Sequence, residues 1–195
     1  MQPDLPAGDG PQDPPASDEP GAQEEGREPE EPSGDEPQDL HAGEEPPRLE
    51  DLYRFSHGHR VRYEEVDAQG IVGNASWLNL LQLGRIEYLR FLGLMMEGGT
   101  GSPVQAVVRR SVIDYLSPAR FDDPLIIRVR TSYLGERSAK IEYVVDNVET
   151  GLRPLIGETL MVCVEIATLR SIAWPQVWRE RVIAMEQETL QVGQR

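Results

Sequence analysis

One strongly apolar stretch of helical pattern, residues 75–92, is followed by four strand-like segments with no second helix between them. Trp77, Leu78, Leu80, Leu81, Leu83, Ile86, Leu89, Phe91 and Leu92 cover most of the circumference of that helix. A helix apolar nearly all round must be enclosed by other parts of the fold. Gly93 follows it as a C-cap, a position that favours a residue free to turn left-handed.

The flanking segments supply the enclosure. Residues 60–66 alternate moderately and read as a first strand. Residues 104–116 read as the next, ended by Ser117-Pro118 and Asp122-Asp123-Pro124. A third strand places Leu125, Ile127, Val129 and Tyr133 on one face and Arg128, Arg130 and Ser132 on the other. After a turn at Gly135-Glu136-Arg137, a fourth alternates Ala139, Ile141, Tyr143 and Val145 against Lys140, Glu142 and Asp146. A fifth, residues 155–168, puts Ile156, Leu160, Val162, Val164 and Ile166 on one face. Pro175 opens a final helix over 176–190. Helices do not alternate with strands, so a doubly wound parallel sheet is excluded in favour of an antiparallel one. The expected fold is α+β: about five antiparallel strands around a central apolar helix, with a C-terminal helix, which is the hotdog architecture. An open sheet of this kind leaves edges to cover, and pairing of subunits into a homodimer or homotetramer covers them.

Composition divides the chain in two. Residues 1–50 hold sixteen acidic side chains against two Arg, which is −14 of the total charge of −15. They also hold eleven of the sixteen prolines and no Ile, Val, Phe, Tyr or Trp. Such a segment cannot bury enough apolar surface to offset its ordering entropy, and it reads as a disordered acidic tail. Residues 51–195 form the folded domain and are nearly neutral, with seventeen basic and eighteen acidic side chains. No clustered positive charge speaks for nucleic acid. No apolar run reaches membrane-spanning length, so no membrane partner is expected. The single Cys163 excludes an internal disulfide and fits a reducing, cytoplasmic setting.

The chemistry concentrates where the first strand meets the helix. Tyr63-Glu64-Glu65-Val66-Asp67-Ala68-Gln69-Gly70-Ile71-Val72, then Asn74-Ala75-Ser76-Trp77-Leu78, brings one carboxylate close to the amides of a helix start. From spacing alone Asp67 is equally a turn or capping residue. The segment resembles the signature of the 4-hydroxybenzoyl-CoA thioesterase family. Arg85, Glu87 and Leu89, Tyr115-Leu116-Ser117-Pro118 and Asp122-Asp123-Pro124-Leu125 resemble its later blocks. The likeness spans residues 60–168.

The resemblance implies an acyl-CoA thioesterase, with an acyl-carrier-protein thioester as the alternative substrate. It places the catalytic carboxylate at Asp67 and the oxyanion-stabilising backbone N–H at Asn74. Substrate would lie against Gly70, Val72, Gly73 and Trp77. Gly73 and Trp77 stand where that family has a bulky aromatic residue and a Tyr; Gly73 removes a pocket wall. A non-catalytic acyl-CoA-binding domain is the alternative reading.

The remaining candidates have plainer readings. Glu87 suits an ion pair with Arg85, Arg90 or a partner chain, and Glu64 and Glu65 suit solvent or an interface. His57 and His59 precede the expected first strand, leaving Cys163 without an activating His and the three histidines without metal-ligand spacing. No metal and no cofactor is expected. Gly98-Gly99-Thr100-Gly101 lacks a following Lys and reads as a flexible connection. Arg109, Arg110, Arg120, Arg128, Arg130 and Arg137 are candidates for CoA phosphates.

Overall fold

A computed structural model describes residues 48–94 and 104–193. The acidic tail, except its last three residues, and the Gly98–Gly101 connection lie outside the described residues. A short helix α1 (Leu49–Leu52) leads into β1 (Phe55–Arg60) and a 3-10 turn (Tyr63–Glu65). The long helix α2 (Asn74–Phe91) comes next, then β2 (Val104–Tyr115), β3 (Pro124–Leu134), β4 (Ser138–Asn147) and β5 (Leu155–Glu165). The chain ends with α3 (Gln176–Glu186), a 3-10 turn (Gln187–Thr189) and a two-residue strand β6 (Gln191–Val192).

The sheet order is β1-β3-β4-β5-β2, antiparallel throughout, with β6 adding a parallel pair to the end of β3. The α+β sheet-and-helix expectation therefore holds. Helix α2 begins and ends within a residue of its expected limits, and Gly93 closes it at φ +65° with its N–H on the Arg90 carbonyl.

Contacts between α2 and the sheet fall mainly on β3, then β1. The buried stripe is Trp77, Leu80, Leu81, Gly84 and Tyr88, the i, i+3, i+4, i+7 spacing of one helix face. Gly84 sets the distance. A Cβ there would stand 2.8 Å from Ile127 Cγ2 and 3.2 Å from Val129 Cγ2. The missing side chain lets the helix backbone rest directly on β3. All-round burial of α2 is not found: Leu78 and Phe91 are half-exposed or more. The sheet covers one side of the helix, and the chain offers no second layer for the other among the described residues.

The C-terminal end of α2 is tied to β3 and α3 by a buried polar cluster. Tyr88 donates its hydroxyl to Glu186 Oε1 at 2.5 Å, and the Thr131 N–H donates to the same oxygen at 2.9 Å. Glu186 is 1% exposed. Burial pushes its carboxyl above the ordinary value of 4.5, opposed by the Tyr88 and Thr131 hydrogen bonds.

Three strand details depart from expectation. The first strand lies at Phe55–Arg60, not 60–66, because its inward residues are Phe55, His57 and His59, two of them polar, while Tyr63–Glu65 turns. A bulge between Thr131 and Tyr133 shifts β3, so Leu134 enters the core and Tyr133 does not follow Leu125, Ile127 and Val129. In β5 the core side is Leu155, Thr159, Met161 and Cys163, and the strand ends at Glu165. Ile156, Leu160 and Val162 lie on its half-exposed outer face. Both faces of β5 carry apolar groups, so alternation alone picks the more uniformly aliphatic one. Helix α3 stops at Glu186, short of 190, and the 3-10 turn and β6 follow. In β4 the buried apolar set is Ala139, Ile141, Tyr143 and Val145, as expected, joined by Val144, and Asn147 is buried at the strand's end.

Two outcomes follow from this packing. Gly84→Leu should lower stability by about 2 kcal/mol or more in urea denaturation, since overpacking a closed contact costs ~1–3 kcal/mol. The Glu186 carboxyl, with its pKa raised on folding, contributes stability that is fully present below the unfolded pKa and is lost as pH rises through the folded one. The difference in Tm, wild type minus Glu186→Gln, should therefore decline as pH rises from near 4.5; a flat difference would refute the shift.

Candidate functional site

The loop between β1 and α2 is built from short-range hydrogen bonds. Gly70 N–H donates to the Asp67 carbonyl at 2.9 Å, and Asp67 N–H donates to the Ile71 carbonyl at 2.9 Å. Gly70 sits at φ +74°, the left-handed region that a glycine occupies without strain. Gln69 N–H donates to Asp67 Oδ1 at 2.8 Å, so one carboxylate oxygen fixes the turn. The other oxygen, Oδ2, carries no hydrogen bond among the described residues. It lies 3.9 Å from where a Cβ on Gly73 would stand.

Gly73, not Asn74, is the N-cap of α2, with φ −73° and ψ 156° and no side chain to cap with. Asn74 is the first helical residue. The first helical bond runs from Trp77 N–H to the Gly73 carbonyl at 3.0 Å. The amides of Asn74, Ala75 and Ser76 precede it and have no partner inside the helix. The partial positive charge of a helix start thus sits beside the Asp67 carboxylate.

An open cleft of about 560 Å³ is lined by Asp67, Gly73, Asn74 and neighbours from Glu65 to Ser76. Asp67, Gly70 and Asn74 are exposed to solvent and Gly73 is half-buried. Val72 lines the cleft too, yet is 4% exposed and belongs to the core, its N–H on the Ala119 carbonyl at 2.8 Å. Gly70 lies on the same turn but is not among the lining residues, and Trp77, 4% exposed, packs in the core apart from them. The structure therefore brings Asp67, Val72, Gly73 and Asn74 together and sets Trp77 apart.

Other candidates resolve simply. Glu87 pairs with Arg90, and Arg85 donates to the Tyr143 hydroxyl at 3.0 Å. Cys163 is fully buried, and burial pushes its thiol up to about 11, which leaves no reactive thiolate. Among the described residues no group of His, Cys, Asp and Glu is placed to hold a metal, and no helix is long and apolar enough to cross a membrane. Arg128 and Arg130 are held in ion pairs with Asp146 and Glu142. Arg109, Arg110 and Arg120 have no carboxylate partner for their side chains among the described residues, and Arg120 bridges to Ile71 at the edge of the cleft.

One arrangement was not legible in the sequence. The Glu65 side chain is largely withdrawn from solvent: its Oε2 accepts from His59 at 2.8 Å and from the Arg62 N–H at 2.8 Å. The signal was the placement of β1, since once the strand moves to Phe55–Arg60, His59 becomes an inward-facing strand residue.

An antiparallel sheet packed on one long helix is the hotdog arrangement. Residues 61–182 match the thioesterase-like superfamily, and the chain belongs to that family. It is 33% identical over 118 residues to the acyl-CoA thioester hydrolase YbgC of Escherichia coli, covering 60% of this chain and 87% of that one. Among solved structures it is similar to a thioesterase of Thermus thermophilus complexed with coenzyme A and Zn, with 30% identity and a TM-score of 0.60 over 69% of this chain and 96% of that one. The fold is shared with a 1,4-dihydroxy-2-naphthoyl-CoA thioesterase of Synechocystis, at a TM-score of 0.63 and 16% identity over 68% and 98% of the two chains.

Proposed function

We propose that this chain is an acyl-CoA thioesterase, releasing a free carboxylic acid and CoA, with Asp67 and the Asn74 amide as its reacting centre. The observation that carries the reading is the placement of Asp67 Oδ2 beside Gly73, at the mouth of the uncapped helix start. The thioester carbonyl oxygen lies against the Asn74 N–H, which stabilises the negative charge that develops during attack. Asp67 Oδ2 acts in one of two ways. As a base it takes a proton from water while the water oxygen bonds to the carbonyl carbon. As a nucleophile it bonds to that carbon itself, and water then cleaves the mixed anhydride. In both routes the C–S bond breaks and the thiolate takes up a proton.

The family membership, the relative named an acyl-CoA thioester hydrolase and the thioesterase complexed with coenzyme A support a CoA ester over a carrier-protein ester. Arg120, beside the cleft with its guanidinium unpaired among the described residues, is suited to a CoA phosphate. The lone buried thiol agrees with action in the cytoplasm. We further infer a homo-oligomer built on β2. That strand is one of the two sheet edges among the described residues, and Val107 and Val108 are 39% and 48% exposed on it. A long apolar edge of this kind invites a second copy.

The decisive measurement is thiol release from a panel of aryl- and alkyl-CoA esters by wild type and Asp67→Asn. Asparagine keeps an oxygen for the Gln69 N–H, so the turn and the Tm should persist while kcat falls about 100-fold or more. Unchanged turnover removes Asp67 from the reaction. Tight acyl-CoA binding with no release by the wild type makes the domain a binding module. In sedimentation, a charge placed on the edge by Val108→Glu should convert the oligomer to monomer; a wild-type monomer refutes the pairing.

A further inference from the structure

Glu65 is held at both its ends. Its carboxylate is 16% exposed and meets His59, itself 6% exposed, at 2.8 Å. An ionised carboxylate only accepts, so His59 donates its Nε2–H. The same oxygen takes the Arg62 N–H at 2.8 Å, and the Glu65 N–H donates back to the Arg62 carbonyl at 3.1 Å, closing the 3-10 turn. Its carbonyl takes the N–H of Gly73, the N-cap of α2, at 3.0 Å. His59 in turn is fixed by β1, where it lies opposite Leu125 of β3.

These contacts form a continuous path from the sheet to the cleft. β3 holds β1, β1 presents His59, His59 grips Glu65, and Glu65 holds Gly73. Asp67 lies two residues after Glu65 on the same loop. The chain leaves Glu65, makes the Asp67 turn and returns to Gly73, and the Gly73 N–H bond to the Glu65 carbonyl closes that loop at its base.

We propose that Glu65, gripped by His59, is a positioning residue that fixes the separation between the Asp67 carboxylate and the first amides of α2. This rests on the thioesterase reading for its effect on turnover, and on geometry alone for its effect on the loop. Glu65 touches no reacting atom in this scheme.

The test compares Glu65→Ala, Glu65→Gln and His59→Ala by thiol release and by amide hydrogen exchange. Glu65→Ala and His59→Ala should lower kcat about tenfold or more, the scale of a small misplacement of reacting groups, with KM changed far less. Glu65→Gln keeps the length and an acceptor for Arg62, and should recover most of the loss. In the Asp67→Asn background Glu65→Ala should cost nothing further, because the two act through one group. The Gly73 amide should exchange faster in Glu65→Ala while the amides of β3 stay protected. Unchanged kcat, an equal loss in the Asp67→Asn background, or unchanged Gly73 exchange each overturns the proposal. If the wild type releases no thiol, the thioesterase reading fails and Gly73 exchange alone decides the clamp.

Discussion

The direct contact of α2 with β3 at Gly84 governs the rest of the molecule. A helix held off the sheet by side chains would sit higher and meet fewer of the residues on β1 and β3. With no Cβ at Gly84, Ile127 and Val129 fill the space beside the helix backbone. Trp77, Leu80 and Leu81 then reach the core on one side of this point and Tyr88 on the other. The helix is thereby fixed in height at its middle and pinned at its C-terminal end by Tyr88, Thr131 and Glu186. Its first turn is left to the loop that carries Asp67.

That division explains how an exposed carboxylate can have a defined place. Asp67 is not buried, and no charged group grips it. One of its oxygens is spent on the Gln69 amide. The loop around it is fastened at Gly70, Ile71, Val72 and Gly73 by main-chain bonds, one of them reaching Ala119 before β3. The polar groups that fasten the loop are mostly backbone, so they survive a wide range of side chains. Of the two side chains that matter, His59 lies outside the lining of the cleft and Glu65 belongs to it.

What the sequence disclosed follows the same line. Asn74–Phe91 was legible because a run of leucines at helical spacing has no other use in a chain with so few apolar segments. The β4 face was legible because Ala139, Ile141, Tyr143 and Val145 face charged neighbours. The placement of Asp67 near a helix start was legible because strand, turn and helix adjoin in the chain. Gly84 was not, because a glycine inside a helix looks like a defect until the opposing strand is known. β1 was missed because two of its inward residues are histidines, which hydrophobic alternation ignores. The core side of β5 was not legible because Thr159 and Cys163 line the core while the outer side is richer in branched aliphatics. For Gly84 the partner that gives the residue its meaning, β3, is far away in the chain.

The nesting of the sheet carries a consequence for how the molecule assembles. β3 and β4 are joined by a turn closed from Gly135 N–H to the Ser138 carbonyl, and β4 pairs with β5 after a loop of few residues. These three strands form a meander of short loops, the cheapest part of the chain to close. The segment bearing Asp67 belongs to the opposite class. Arg60 must find Pro124, and Val72 must find Ala119, across the whole length of α2 and β2. Chain closure is costliest at the segment that carries Asp67. A partly folded molecule can hold its meander and still have no cleft, because the cleft needs the long-range pairings of β1 with β3 and of Val72 with Ala119.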